Sequence, residues 1–196
     1  MMEFKGTIAL MLESHFDPTE PDACTGFFPY NGYKIEFISN LRGHPSADFR
    51  GNDGLQVITV TKDIRDVDLA QYRGLILVGA YAMDMLRYEV HVTEKSEPDA
   101  TTFLRKAMAT PNLIVGTICH SLWLFTPAPD LLKGRHVTCG HNSMFDVRNA
   151  GGILVYDKHH NTLVDTHVDG NLVTGRHPYV MAAFMNVFLD ELEKRT

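Results

Sequence analysis

Three stretches of the chain, Thr7-Ile8-Ala9-Leu10-Met11-Leu12, Leu75-Ile76-Leu77-Val78 and Leu113-Ile114-Val115-Gly116-Thr117-Ile118, are apolar almost from end to end. A strand with one wet face alternates apolar and polar residues, so runs without alternation mark strands covered on both faces, as in a parallel sheet. Helices are expected over Ala23 to Tyr30, Pro98 to Ala109, and Asn142 to Ala150, the last capped by Asn142 and stopped by Gly151-Gly152. Tyr33 to Ser39 alternates and reads as a strand nearer an edge. Leu55 to Val60 and His136 to Cys139 read as further strands, and Val168-Asp169-Gly170-Asn171-Leu172 as a tight hairpin. A last helix starts at His177-Pro178 and carries Val180, Ala183, Phe184, Val187 and Phe188 at helical spacing. Strands and helices in alternation specify an α/β fold with a doubly wound, mostly parallel sheet sandwiched by helices. A length of 196 residues fits one domain over 1–196.

The third apolar run ends at Cys119, and His120-Ser121-Leu122-Trp123-Leu124-Phe125 reads as the first turns of a buried helix. A cysteine at a strand-to-helix junction is placed as in a nucleophile elbow, where the turn lifts the side chain out of the sheet and free N–H groups favour a thiolate. The other reading is a small buried hydrophobe, as most free cysteines are. Two more loops leave the same sheet edge, Ser14 to Pro21 and Gly79-Ala80-Tyr81-Ala82-Met83-Asp84. They offer Asp17 and Glu20 as acid partners, with Glu13 a weaker third, and the N–H groups of Ala80 and His120 as oxyanion donors. Asp17 could equally cap a helix. Neighbours in a regular helix do not face each other, so His120 meets the thiol only if the elbow departs from helical geometry. Trp123 and Met83 either wall a substrate pocket or belong to the core.

A net charge of −6 and a pI near 5.9 argue against a nucleic-acid surface, which needs clustered Lys and Arg. A small-molecule substrate is expected instead. Cys24, Cys119 and Cys139 cannot all pair with one another, which suggests a reducing, cytoplasmic setting. Met1-Met2-Glu3-Phe4-Lys5-Gly6 lacks a signal-peptide layout, and no apolar run reaches the roughly 20 residues of a membrane span. The ten histidines, His159-His160 in a polar turn among them, show no metal-binding spacing, so neither metal nor cofactor is expected.

Ile118-Cys119-His120 and Ala82-Met83-Asp84-Met85-Leu86-Arg87 resemble the Ile-Cys-His elbow and the Ala-Pro-Asp/Glu-x-x-Arg loop of the ThiJ/PfpI family. Asp146 to Gly151, Val168 to Thr174 and Arg176-His177-Pro178 are similar to its later blocks, so the resemblance covers nearly the whole chain. That family is a branch of the class I glutamine-amidotransferase-like, flavodoxin-like folds, and includes protease/amidase-like proteins, glyoxalase III or deglycase-type enzymes and isonitrile hydratases. The resemblance implies Cys119 as nucleophile, His120 as its catalytic neighbour, and Asp84 as the acid orienting that histidine, in some members across a subunit interface. It gives Glu20, in Asp17-Pro18-Thr19-Glu20, the place of the glutamate that hydrogen-bonds the cysteine. Gly79-Ala80 stands where the family has Gly-Gly at its oxyanion site, and Ser121-Leu122-Trp123 where many members have Gly-Pro, a bulk that favours small substrates.

The expectation is a cysteine-dependent hydrolase or lyase acting on a small amide, 2-oxoaldehyde or glycated group, with a depressed Cys119 pKa and a self-associating chain. The rivals are an isonitrile hydratase-like lyase, a redox-sensing stress protein or holdase with an oxidisable Cys119, and a binding domain that has lost its chemistry.

Overall fold

A computed structural model describes residues 3–88, 93, 96–159 and 161–195; His160 and the Met1-Met2 start lie outside the described residues. In chain order the elements are β1 (Gly6–Met11), α1 (Thr19–Phe27), β2 (Tyr33–Ile38), β3 (Ala47–Arg50), β4 (Val57–Val60), β5 (Tyr72–Leu77), α2 (Ala82–Leu86), α3 (Asp99–Ala109), β6 (Ile114–Ile118), β7 (His136–Val137), α4 (Met144–Asn149), β8 (Ile153–Leu154), β9 (Tyr156–Asp157), β10 (Thr162–Leu163), β11 (Thr166–Asp169), β12 (Leu172–Gly175) and α5 (Met181–Glu193).

The three apolar runs form the middle of a six-stranded sheet in the order β11-β12-β6-β5-β1-β2. All neighbours are parallel except β11, which folds back antiparallel on β12. The order is flavodoxin-like, with β12 in the fifth place. Both faces are covered, as the absence of alternation requires. On one face Ile8, Leu10, Ile76 and Ile114 pack with Phe28, Phe184 and Phe188 of the α1 and α5 side. On the other, Met11, Leu75, Leu77 and Val115 pack with Phe103 and Leu104 of α3. Helix α5 approaches so closely that a Cβ on Gly116 would fall 2.8 Å from both Phe184 Cζ and Phe188 Cε2. Among the described residues no helix is long and apolar enough to cross a membrane.

Several local expectations shift. Helix α1 begins at Thr19, four residues before Ala23, and takes Pro21 into its first turn, where a missing N–H costs nothing. Glu20 therefore stands on a helix rather than in a loop. The segment after Cys119 is a 3₁₀ helix, Ser121–Phe125, not an α-helix. Asn142 caps nothing, since the 3₁₀ turn His141–Ser143 precedes α4. The Leu55 strand shortens to β4 and pairs with β3 as a hairpin outside the main sheet. The buried stripe of α5 is Met181, Phe184, Met185, Phe188 and Leu192, and Ala183 faces solvent.

Candidate active site

The carboxyl ends of β1, β5 and β6 lie side by side, and each is followed by a non-glycine residue with positive φ: His15 at 66°, Ala80 at 51° and Cys119 at 56°. Each such residue costs on the order of 1–3 kcal/mol, and strain of this kind persists only where the surroundings enforce it. At Cys119 the enforcement is visible: its N–H donates to the Gly175 carbonyl (2.9 Å) and its carbonyl accepts from Gly140 N–H (2.7 Å). Ser121 Oγ closes the turn between the carbonyls of Leu77 (2.7 Å) and Ile118 (2.5 Å). The Tyr81 N–H, donating to His15 O (3.1 Å), ties two of the loops together.

This geometry brings Glu20 beneath the cysteine. Glu20 is 1% exposed and Cys119 7%. Glu20 Oε2 accepts from the Gly79 N–H, while Oε1 is buried with no hydrogen-bond partner among the described residues. A Cβ at Gly79 would lie 2.7 Å from Glu20 Oε1, 2.8 Å from Ile118 O and 2.9 Å from Cys119 Cβ, so only glycine fits between acid and thiol. Burial pushes the Glu20 carboxyl well above the ordinary carboxylate range; the Gly79 N–H opposes the rise and the Asp17 charge adds to it. Burial, and then the Glu20 charge, likewise push the Cys119 thiol up to about 12, against lowering contributions from the N–H groups of Ala80 and His120. The expectation of a depressed thiol pKa is thus corrected: the elbow N–H groups act as foreseen, but desolvation and a neighbouring carboxylate outweigh them.

His120 is half-buried, with its ring 4.8 Å from that of Trp123 and 6.0 Å from that of Tyr81. Burial holds its imidazole pKa below the usual histidine value; the Ala80 carbonyl opposes this and His177 adds to it. His120 Nδ1 is buried without a hydrogen-bond partner among the described residues. Asp84 does not orient it within the chain: Asp84 Oδ1 lies 2.6 Å from Arg87 Nη2, one turn along α2, though out of line for a hydrogen bond. Trp123 is 7% exposed and donates its Nε1–H to Asp146 Oδ2 (2.7 Å), which makes it a support behind His120 more than an open pocket wall.

Of the residues singled out from sequence, Glu20, Gly79, Ala80, Cys119, His120 and Trp123 come together. Asp17 turns onto the first residue of α1, accepting from Thr19 N (2.9 Å) and Thr19 Oγ1 (2.6 Å), and reaches the site through its charge alone. The Gly79 N–H is committed to Glu20 and is not a free oxyanion donor. Glu13 stays outside, buried against Ser14 N (2.8 Å) and Arg42 (3.3 Å). Sequence reasoning missed Tyr81, whose exposed ring flanks His120; it lies inside the Gly79–Asp84 loop, but nothing in that pattern says which way the ring turns. No group of three or more His, Cys, Asp or Glu side chains suited to a metal occurs among the described residues.

A family model described as the DJ-1/PfpI family matches residues 7–191. General stress protein 18 of Bacillus subtilis (strain 168) is 29% identical over 187 residues, covering 95% of this chain and 98% of that protein. Protein/nucleic acid deglycase 2 of Escherichia coli (strain K12) is 28% identical over 177 residues, covering 90% and 92%. A two-domain protein with DJ-1/ThiJ/PfpI-like and ferritin-like domains from Anabaena variabilis has a solved structure that superposes with a TM-score of 0.81 at 20% identity. The match takes in 96% of this chain and about half, 48%, of that one, and it speaks to the fold alone.

Proposed function

The chain belongs to the DJ-1/PfpI family, and on that premise we propose a cysteine-dependent enzyme in which Cys119 attacks a small carbonyl electrophile, a 2-oxoaldehyde, a glycated group or an amide. The observation that carries the reading is the buried, half-satisfied Glu20 carboxyl packed against the strained Cys119 turn. A site this desolvated holds one negative charge far more readily than two, so sulfur and carboxylate share a proton. As the bond from Sγ to the substrate carbon forms, the thiol proton passes to Glu20, whose raised pKa suits a general base. The carbonyl electron pair moves onto oxygen and takes that proton back from Glu20 or another from His120. The N–H groups of Ala80 and His120, which favour the thiolate in the resting site, serve as donors to the developing charge.

The Escherichia coli relative is named a deglycase, which favours the 2-oxoaldehyde or glycated class. The test is methylglyoxal consumption without glutathione, by wild type and Cys119→Ala side by side. Cofactor-free consumption that vanishes in the variant is expected; consumption that survives it removes Cys119 from the mechanism.

The unpartnered Glu20 Oε1 also supports a second reading, a stress protein in which peroxide converts Cys119 to a sulfinate that a protonated Glu20 stabilises. The name of the Bacillus subtilis relative agrees with it. Mass gain confined to Cys119 under mild peroxide, without turnover, would favour this reading over the first.

A further inference from the structure

We propose that Tyr81 sets the substrate class of this site: its exposed ring stacks on a planar, aromatic or conjugated group attached to the electrophilic carbon that Cys119 attacks. The inference rests on the enzymatic reading above and narrows it. Tyr81 directly follows Ala80, whose N–H acts on Cys119, and its ring stands 6.0 Å from that of His120, the residue after Cys119. It is 49% exposed, whereas the other rings of the cluster are held on several sides. Trp123 has His120 at 4.8 Å, Tyr81 at 5.7 Å, the Arg87 guanidinium at 5.5 Å and Asp146 on its Nε1. Tyr81 lies at only 30° to the Trp123 plane, so its ring rests beside a fixed indole while about half of the residue stays exposed. A ring pre-positioned in this way loses little conformational freedom when a second planar group stacks on it.

Two arginines that follow the site elements, Arg87 after α2 and Arg176 after β12, are already engaged. Arg87 pairs with Asp84 and also lies 5.8 Å from the Tyr88 ring, and Arg176 pairs with Asp165 at 2.8 Å. The surface at the elbow therefore favours a neutral flat group over an anionic one, and a small aliphatic substituent would leave the Tyr81 face unused.

The experiment compares alkylation of Cys119 by phenacyl bromide and by bromoacetone, read by intact mass and peptide mapping, each rate divided by that of N-acetylcysteine. In both reactions the Sγ–carbon bond forms as bromide leaves with its electron pair, and the thiol proton goes to buffer. The normalised phenacyl rate should exceed the bromoacetone rate by roughly three- to tenfold, the range of one aromatic contact. Tyr81→Leu should bring the ratio close to one, and Tyr81→Phe should keep it. A wild-type ratio at or below one, or a ratio that Tyr81→Leu leaves unchanged, overturns the proposal. Turnover of phenylglyoxal and methylglyoxal is measured in parallel. A labelling preference without turnover of either removes the enzymatic reading and keeps the platform, whereas equal turnover of both without a labelling preference removes the platform and keeps the enzyme.

Discussion

The carboxyl edge around Cys119 and the face of the sheet beneath α5 are built from the same strands, yet they are opposites in their chemistry. Beneath α5, Ile76, Ile114, Phe184 and Phe188 are fully buried and satisfied by packing alone, and Gly116 lets the helix settle onto the strands. A few residues beyond β5 and β6, the chain passes through positive φ at Ala80 and Cys119 and buries Glu20 Oε1 and His120 Nδ1 without hydrogen-bond partners among the described residues. The first region lowers the free energy of the fold; the second raises it and is held in place by the first. Strain and orphaned polar atoms concentrated in one spot on an otherwise well-satisfied scaffold suggest a site shaped by chemistry and not by stability.

If that contrast is right, mutations in the two regions should separate activity from stability. Cys119→Ala should lower turnover by roughly 10³-fold or more, as loss of a nucleophile does, and move the melting temperature by only about 2 °C. Phe188→Ala should do the reverse: a loss of about 3–5 kcal/mol, or roughly 6–20 °C in melting temperature for a chain of this size, with kcat per folded molecule preserved. A Phe188→Ala protein that melts normally would break the contrast.

Two glycines sharpen it. Gly79→Ala and Gly116→Ala each place a methyl within 3 Å of fixed neighbours, and each should destabilise by about 1–3 kcal/mol through overpacking. Only Gly79→Ala should also abolish turnover, because its methyl wedges Glu20 away from Cys119. Equal catalytic loss in both, measured on folded protein, would mean that the effect is general.

Glu20→Gln should give a smaller, pH-dependent signal. Glu20 holds its proton in the folded chain to a pH well above the value at which the unfolded chain releases it. Between those two values the unfolded state binds fewer protons, so this group makes wild-type stability fall as pH rises. The melting temperature of Glu20→Gln relative to wild type should therefore climb above about pH 4.3, the unfolded glutamate value, and level off at the folded pKa. A difference that is flat with pH would show that Glu20 is ionised in the fold. The same substitution removes a charge that raises the Cys119 pKa, so the iodoacetamide-labelling midpoint of Cys119 should move down.

The mildest test concerns self-association. His120 Nδ1 is unpartnered among the described residues, and Asp84 turns toward Arg87; an acid from a second copy could complete the site. Light scattering at micromolar concentration is expected to give more than a monomer, and a strict monomer would leave the orphaned nitrogen as a property of the single chain.

The sequence alone determined the sheet, because short, β-rich apolar runs without alternation are buried as strands between two covered faces, and Thr7 to Leu12, Leu75 to Val78 and Leu113 to Ile118 supply its central strands. It also marked Cys119 through the strand ending and Glu20 through its place in the loop after the first strand, which the family resemblance then ranked above Glu13. What it could not determine was how those groups are solvated. Helix α1 starts at Thr19, between Pro18 at its cap and Pro21 in its first turn, and so carries Glu20 inward; no local propensity encodes that burial. The thiol pKa followed, since it is the balance of two backbone N–H groups against desolvation and a carboxylate that distant parts of the chain bring together. Asp84 shows the same limit: a motif places it three residues from Arg87 and cannot say whether it faces that arginine or His120. Burial and electrostatic environment are sums over the whole packed molecule, and only the tertiary structure performs that sum.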